Sequence, residues 1–292
     1  MNIQSLSVVA PAKKCVNNCK FCVSQMHHEN YDSILSKEQL EREYFNRMAF
    51  ARDNGCNTMM ITGTTEPQQN LSFLRALGRW NRELDKPFRW IEIQTSGTGI
   101  DDEKLDILKN DVGVSTISLS LSSLNNDWNK EYTGAPKEID IYSLCRKIKQ
   151  KGFNLRVSLN LTDKAFYSFY NKEGNLERSI EELCVYCRDT LLADQITFRM
   201  LYLSENDCPQ NEWIKAHGDK EFGPILRKYI EQNGRKLERL EFGQIRYDLH
   251  GLSVVIDDDC MSTEVKESLK YLVLRPDGHL YSKWDSKASL IF

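Results

Sequence analysis

Long apolar runs, internal repeats and an excess of one charge are all missing from this sequence. No run is long enough to span a membrane, which argues against a transmembrane protein. The first residues lack a basic segment followed by an apolar one, so no signal peptide is expected. The 42 acidic and 39 basic residues give a net charge of -3, which argues against a general attraction to nucleic acid or anionic membranes. We therefore expect a cytoplasmic protein with no membrane partner.

Cysteine, in contrast, is concentrated in one place. Nine cysteines are present, and Cys15, Cys19 and Cys22 form a Cys-x3-Cys-x2-Cys spacing. An odd count with three thiols in one loop argues against a disulfide scaffold and favours a reducing compartment. Three thiolates in a tight loop can point at one site, and they leave a four-ligand site one position short. The spacing predicts a metal centre with an open position.

The order of apolar segments predicts a single α/β domain. Short apolar strands alternate with amphipathic helices, which is typical of a parallel sheet with right-handed crossovers. We expect a partial (β/α)6 TIM-like barrel over residues 1–236. Residues 237–292 contain β-like runs and a hairpin signal at Pro276-Asp277-Gly278, and we expect a C-terminal β-rich cap on the same domain. The predicted strands are Ser5–Ala10, Asn57–Thr62, Arg89–Thr95, Val114–Ser122, Asn154–Thr162 and Asp194–Tyr202.

Capping signals predict where the helices begin and end. Ser36 is expected to cap a helix that runs to about Asn54 and ends at Gly55. The other helices are predicted at 70–84, 101–109, 136–151, 175–191 and 222–233.

Polar and aliphatic side chains alternate along the predicted strands. A sheet with one solvent-exposed polar face is common in antiparallel proteins, but here the intervening helices should cover the apolar face. The polar face should then line the inside of a curved sheet, where an ordinary barrel has Val, Ile and Leu. This pattern predicts a cavity that holds a polar ligand. The polar set is Glu92, Gln94, Ser118, Ser120, Ser122, Arg156, Ser158, Asn160, Thr162, Thr197 and Arg199.

The cysteine loop resembles that of the radical S-adenosylmethionine superfamily. The resemblance includes the aromatic residue Phe21 before the last cysteine. The segment Gly63-Thr64-Thr65-Glu66-Pro67 is similar to the Gly-Gly-Glu motif of that family, with Thr64 in place of the second glycine. Ser120-Leu-Ser122-Ser-Leu and Tyr132-Thr-Gly134 are similar to stretches of its molybdenum-cofactor cyclase branch. The resemblance covers roughly residues 5 to 202.

The resemblance implies an enzyme that cleaves S-adenosylmethionine reductively and abstracts hydrogen from an organic substrate. Its cofactors would be a [4Fe–4S] cluster on the three cysteines and S-adenosylmethionine at the open iron. Thr64, Thr65 and Glu66 would meet the methionine amino group through backbone oxygens and a carboxylate, and Gly63 and Phe21 are further candidate cofactor-binding residues. An electron donor such as flavodoxin or ferredoxin is implied as a partner. Ser120 and Ser122 would face the ribose or carboxylate, and Asn160 and Arg199 are candidate cofactor contacts from their strand positions.

Three alternatives remain open at the level of sequence. Within the enzyme class, the protein could be a glycyl-radical-enzyme activase. In another class, Cys15, Cys19 and Cys22 with His27 match part of a closed zinc site, which would make the chain a zinc-stabilised binding module without turnover. A second cluster could involve Cys184, Cys187, Cys208 and Cys260. However, Cys184 and Cys187 share a helical face with leucines, which is typical of core packing.

Three predicted loops on the cysteine side are long and aromatic. Long loops at this end of a barrel act as lids or binding surfaces, and the alternative is packing against the C-terminal cap. Lys164, Arg246 and His250 are candidates for contact with an anionic substrate. The loops are 125–136 with Trp128 and Tyr132, 163–174 with Phe166, Tyr167, Phe169 and Tyr170, and 203–223 with Trp213 and His217.

Overall fold

The computed structural model describes residues 2–26, 31–169, 176–205, 207–218, 222–240, 244–257, 264–265, 268–284 and 286–291. Within these residues, no helix is long and apolar enough to cross a membrane. His27, Tyr170 and Cys260, which enter the sequence predictions, lie outside the described residues.

Strands and helices alternate through the first two thirds of the chain. The strands are β1 Asn2–Val9, β2 Thr58–Thr62, β3 Trp90–Thr95, β4 Thr116–Leu121, β5 Asn154–Asn160, β6 Gln195–Arg199, β7 Arg235–Arg239, β8 Ile245–Leu249, β9 Leu252–Asp257, β10 Glu264–Val265, β11 Ser268–Leu274 and β12 Leu280–Tyr281. The helices are α1 Val23–Met26, α2 Lys37–Asp53, α3 Leu71–Glu83, α4 Asp102–Asp106, α5 Asn126–Thr133, α6 Ile141–Gln150, α7 Leu176–Asp189, α8 Pro209–His217 and α9 Phe222–Asn233.

All the described strands belong to one sheet whose centre is parallel. The order is β10, β11, β1, β2, β3, β4, β5, β6, β9, β8 and β7, with β12 paired to β11. Every pair from β11–β1 to β6–β9 is parallel, and the outer strands join antiparallel. No described pairing joins β9 to β11. The sheet is therefore an open, partial barrel, and the predicted fold class is confirmed.

The two faces of the sheet differ as the alternation predicts. Ile93, Leu119 and Val157 are fully buried in the main apolar cluster, which the helices complete. Their polar neighbours on the strands point to the inside of the barrel and line its cavities. The hydrophobic effect therefore stabilises the packing of the apolar face against the helices. The inner face is polar, as the binding of a polar ligand requires.

Local signals explain most helix ends, and two differ from expectation. The Ser36 side chain accepts from the Gln39 amide at 3.3 Å in a capping box, as predicted for α2. Helix α6 begins at Ile141 rather than near Pro136, because the Asp140 carboxylate accepts from the Ser143 amide at 3.0 Å and caps it there. After α4 the chain continues as a π-helical segment, Ile107–Val112, up to Gly113.

The C-terminal region is β-rich and joins both sides of the parallel run. Strand β9 pairs with β6, and β11 pairs with β1. The predicted hairpin is present, with Val273 opposite Tyr281. The Lys270 ammonium nitrogen lies 4.0 Å from Oδ1 of Asp257, so the first and last strands of the parallel run meet at an ion pair.

Candidate functional site

Two adjoining cavities occupy the inside of the barrel. The smaller, about 180 Å³, lies at the cysteine loop, and the larger, about 460 Å³, extends along the sheet towards β9 and β11. Thr62, Gly63, Gln94 and Arg199 line both cavities. The polar face of the strands therefore lines two cavities that share part of their wall, as the alternating pattern predicts.

The three loop cysteines are free and partly exposed. Burial raises the pKa of the Cys19 thiol, and the nearby charges of Cys22 and Cys15 raise it further. Burial also raises the pKa of Cys15, and the negative charge of Glu66 adds to this effect. These mutual effects mean that the thiols and the Glu66 carboxylate lie near one another.

The cysteine loop is held on one side by the end of α5. The amides of Asn18 and Lys20 donate to the carbonyl oxygens of Thr133 and Tyr132, both at 3.1 Å. Gly134 has φ +58°, and an added Cβ would lie 2.5 Å from the Asn18 carbonyl oxygen. The Tyr132-Thr-Gly134 stretch noted in the sequence therefore forms a backbone cradle for the loop.

On its other side the loop is held by the segment after β2. The Gln69 side chain accepts from the Val16 amide at 3.0 Å and donates to the Lys14 carbonyl oxygen at 3.1 Å. The side-chain nitrogen Nδ2 of the buried Asn17 donates to the Ser96 hydroxyl at 2.7 Å, which adds a contact with the segment after β3. The loop thus has a fixed backbone path.

Glu66 is buried at the wall of the smaller cavity. Its two carboxylate oxygens accept from the Thr95 hydroxyl at 2.6 Å and from the Ser96 amide at 2.8 Å. A carboxylate offers about four acceptor positions, so capacity remains for a ligand ammonium group. Thr95 and Ser96, at the end of β3, therefore orient the Glu66 carboxylate.

Gly63 and Thr65 shape the same wall. A Cβ on Gly63 would lie 2.6 Å from the Thr65 carbonyl oxygen, which explains why this position is glycine. The Thr64 side chain is exposed, so a threonine is tolerated at the second motif position. The buried Thr65 hydroxyl lines the cavity and has no hydrogen-bond partner.

The remaining predicted cofactor contacts differ in position. Phe21, Ser120, Asn160 and Arg199 all line the smaller cavity. Ser122 does not line either cavity. It is fully buried, and its hydroxyl accepts from the Asn160 amide at 3.5 Å. The Ser122 amide also donates to the Asn129 side chain of α5 at 2.9 Å, and the contact of Ser122 with a ligand stays a prediction.

The larger cavity contains two sets of charges. The Arg156 guanidinium lies 2.6 Å from one Glu92 oxygen and also donates to Gln195 at 2.8 Å. Arg199 and Lys270 approach the two oxygens of Asp257 at 3.7 and 4.0 Å. Both sets lie on the inner face of the sheet.

The aromatic residues of the long loops pack beside the cysteine loop. Trp213 lies 5.7 Å from Phe21 and 4.9 Å from Tyr132, and it stacks on His217 at 4.7 Å between ring centroids. The Tyr132 hydroxyl donates to Asp163 at 2.7 Å. This group supports the loop from outside, and none of its members except Phe21 lines a cavity.

The basic residues chosen from the sequence as anion contacts lie elsewhere. Lys164 sits over the Trp128 ring at 4.7 Å, Arg246 pairs with Glu238 at 3.0 Å, and His250 contacts the Tyr229 hydroxyl at 3.2 Å. None of the three lines either cavity, and their contact with an anionic substrate stays a prediction. Lys270, which the sequence does not single out, lines the larger cavity.

The other described cysteines of the suggested second cluster are packed in apolar surroundings. Cys184 and Cys187 belong to the main core, and Cys208 packs with Met26 and Ile214 in a separate cluster. Burial raises the pKa of Cys184 to about 12. This supports the packing interpretation for Cys184 and Cys187.

The donor set at the smaller cavity fits an iron–sulfur cluster with a polar ligand. Among the described residues, no group of three or more His, Cys, Asp or Glu side chains could hold a single metal ion. A cluster binds each thiolate to a different iron, so its thiolates need not converge on one point. The buried hydroxyls of Thr65 and Ser158 line the same cavity as Cys19 and have no hydrogen-bond partner, so a polar ligand there would satisfy them.

An open α/β barrel with a three-cysteine loop after its first strand defines the class of protein. The sequence model of the Radical SAM superfamily matches residues 9–162, more than half of the chain. The chain belongs to this superfamily of enzymes, which use a [4Fe–4S] cluster and S-adenosylmethionine.

Solved structures show the same fold at low identity. SuiB from Streptococcus suis, bound to S-adenosylmethionine, aligns with a TM-score of 0.56 and 14% identity over 97% of this chain and 58% of its own. Native anSMEcpe with bound AdoMet gives 0.56 and 15% over 96% and 74%. Coproporphyrinogen III oxidase (HemN) from Escherichia coli, a radical SAM enzyme, gives 0.50 and 16% over 81% and 55%.

The chain therefore spans 58% of the SuiB chain. No curated protein sequence matches it.

Proposed function

We propose that this chain is a radical S-adenosylmethionine enzyme that abstracts hydrogen from an organic substrate bound inside the barrel. The observation that carries the proposal is the shared cavity wall of Cys19, Phe21, Gly63, Thr65 and Glu66. The cysteine loop and the segment after β2 come from separate parts of the sequence, yet they enclose one polar space.

Cys15, Cys19 and Cys22 would hold the cluster. When bound, the cluster supplies the electron that cleaves S-adenosylmethionine to a 5′-deoxyadenosyl radical. The chain itself fixes the backbone of the cysteine loop, through hydrogen bonds that the amides of Asn18, Lys20 and Val16 donate. These hydrogen bonds would keep the thiolates in position without rearrangement.

Glu66, Thr65 and the backbone at Gly63 and Thr64 would bind the methionine amino group. The carboxylate is already oriented by Thr95 and Ser96, so binding would not have to fix it. Asn160, Ser120 and Arg199 complete the polar wall, and Ser122 would act by positioning Asn160.

A low-potential reductant such as flavodoxin or ferredoxin would supply the electron. Exposed Lys13, Lys14 and Lys20 surround the cysteine loop, and such basic groups favour the approach of an acidic protein.

Residues 237–292 would form one domain with residues 1–236. Strands β9 and β11 complete the wall of the larger cavity, so the substrate space needs both parts of the chain.

Metal analysis and ligand binding test this function. The protein, purified and reconstituted without oxygen, should contain iron and sulfide and should bind S-adenosylmethionine in equilibrium dialysis. Cys19→Ala should lose both properties. Cys184→Ala, which removes a core thiol in α7, should keep both. Bound zinc without iron or sulfide would instead support the zinc-stabilised module.

A further inference from the structure

Glu92 and Arg156 form an ion pair on the inner face of the sheet, apart from the proposed cofactor wall. Both residues line the larger cavity and not the smaller one. Glu92 comes three residues before Thr95 on β3, which corresponds to about 10 Å along a strand. Thr95 donates to the Glu66 carboxylate in the smaller cavity. A small organic molecule held at the ion pair would therefore extend along the sheet towards the proposed S-adenosylmethionine site.

The Arg156 side chain is held from two sides. Its Nη1 lies 2.6 Å from Oε2 of Glu92 on β3, and its Nε donates to Oε1 of Gln195 on β6 at 2.8 Å. No described residue accepts a hydrogen bond from its Nη2. The ion pair therefore has no net charge of its own, and it retains a donor that a ligand can use.

Glu92 has one carboxylate oxygen without a partner. The residue is only 6% exposed, and no described residue donates to its Oε1. Buried polar atoms are nearly always hydrogen-bonded, because a missing bond leaves the cost of desolvation uncompensated. An ionised carboxylate only accepts hydrogen bonds, so the missing partner is a donor. A ligand in the larger cavity can supply that donor.

A carboxamide matches both groups of the ion pair. Its N–H can donate to Oε1 of Glu92, while its carbonyl oxygen accepts from Arg156. An uncharged ligand also avoids the cost of bringing another charge into the barrel. The amide side chain of Gln94 lines the same cavity between Glu92 and the smaller cavity, and it adds a further polar contact on the way to the cofactor wall.

An apolar surface lies in the same cavity. Tyr271 and Trp284 line it with ring centroids 6.3 Å apart, and Leu240 and Val255 add aliphatic surface. Pockets of this size bind small organic molecules through apolar area and a few polar groups that fix their orientation. The apolar body of an amide can therefore be accommodated beside the ion pair.

We propose that the larger cavity binds an uncharged organic carboxamide with an apolar body, and that Glu92 recognises its N–H group. Arg156 holds the Glu92 carboxylate in place and meets the amide oxygen. This inference rests on the proposed function, because it names the substrate class of the same site.

Calorimetric titration of the reconstituted protein tests this proposal. The protein would carry oxidised cluster and S-adenosylmethionine without reductant, so that no turnover occurs. The probes are phenylacetamide, phenylacetone, which has a methyl group in place of the amide nitrogen, and phenethylamine, which is a cation. We expect phenylacetamide to bind about tenfold or more tightly than either of the others, because a hydrogen bond to a charged acceptor is a strong one.

Two matched variants assign this preference to Glu92. Glu92→Gln should reduce the preference for phenylacetamide over phenylacetone to about threefold or less. The new carbonyl oxygen can keep the contact with Arg156, which turns an amide NH2 group towards the N–H of the ligand. Glu238→Gln changes another strand carboxylate, which pairs with Arg246 at 3.0 Å outside the cavity lining, and it should keep the preference.

A double variant guards against a folding defect. Glu92→Met combined with Arg156→Met removes both charges together, so that no buried charge is left unpaired. It should bind phenylacetamide and phenylacetone within about threefold of each other. This protein decides the test if Glu92→Gln does not load with iron.

Equal affinity of the unchanged protein for phenylacetamide and phenylacetone would overturn the proposal, and so would tighter binding of phenethylamine. Failure of phenylacetamide to bind at about 10 mM, or a preference that the Glu92 variants keep, would have the same meaning. A protein that cleaves S-adenosylmethionine but has no amide preference would sink this inference alone. A protein with the preference but no cleavage would sink only the proposed function.

Discussion

Gly63 occupies a position where only a hydrogen atom fits beside the Thr65 carbonyl oxygen. Gly63→Ala should push the Thr64–Glu66 backbone out of the smaller cavity, because a carbonyl cannot yield as a flexible side chain can. The dissociation constant for S-adenosylmethionine should rise about tenfold or more, equivalent to about 1.4 kcal/mol. Equilibrium dialysis of the reconstituted variant measures this change.

The iron content and melting temperature of the same variant separate binding from folding. Both should stay close to the values of the unchanged protein, because Gly63 lies outside the main apolar cluster. Unchanged affinity in a folded, iron-loaded Gly63→Ala protein would contradict the role given to this segment.

The sequence identifies the candidate site residues more readily than the residues that support them. Cys15, Cys19, Cys22 and Glu66 are recognisable because each belongs to a short motif of fixed spacing. The support of Glu66 comes from Thr95 and Ser96, about thirty residues away, and such pairings depend on how β2 and β3 lie together. The Asn17 contact with Ser96 spans 79 residues and has no local pattern.

At the scale of elements, the end of α5 holds the cysteine loop. Gly134→Ala should displace Asn18, because the added Cβ would meet the Asn18 carbonyl oxygen at 2.5 Å. We expect the variant to lose most of its iron on desalting and to unfold with about 1–3 kcal/mol less stability. Iron content and denaturant unfolding check the two effects.

Gly113→Ala is the matched control for this prediction. Gly113 also has a positive φ, +84°, but an added Cβ would meet only the Ile91 side chain at 3.8 Å. The free energy of unfolding of this variant should fall by about 1 kcal/mol, because alanine disfavours a positive φ. The variant should keep its iron. If both variants retain iron equally, α5 does not hold the loop in the way described.

Helix ends show which local signals can be read in advance. Ser36 and Gly55 mark α2 correctly, because the capping box needs only residues three apart. The start of α6 is displaced to Ile141 because Asp140 is a better cap than the residues around Pro136. The π-helical turn after α4 has no cap or period of its own in the sequence.

At the scale of the whole molecule, Asp257 connects the first and last strands of the parallel run. Asp257→Ala would remove the partly buried carboxylate that lies between the charged groups of Arg199 and Lys270. We expect a loss of about 3 kcal/mol in the free energy of unfolding. Faster hydrogen exchange of β9 and β11 should accompany it.

Glu212→Ala is the control for an ordinary surface pair. Glu212 and Lys215 form an exposed ion pair within α8, and its loss should cost less than about 1 kcal/mol. Equal losses in the two variants would mean that Asp257 does not connect the two sides of the sheet.

The sequence predicts the parallel sheet and the β11–β12 hairpin, but not how the outer strands pair with the rest of the sheet. Alternation of strands and helices identifies β1 to β6, since each neighbour follows in the chain. The pairing of β11 with β1 joins residues more than 260 positions apart, and no periodicity can indicate it. The wall of the larger cavity depends on this pairing, which is why its β11 residues could not be identified from the sequence.

The most direct measurement of the central claim is the formation of 5′-deoxyadenosine. The protein would be reconstituted anaerobically with iron and sulfide and mixed with S-adenosylmethionine and dithionite. The account predicts 5′-deoxyadenosine from the unchanged protein and none above background from Cys22→Ala. An intact cluster that yields no 5′-deoxyadenosine, or equal yields from the two proteins, would contradict it.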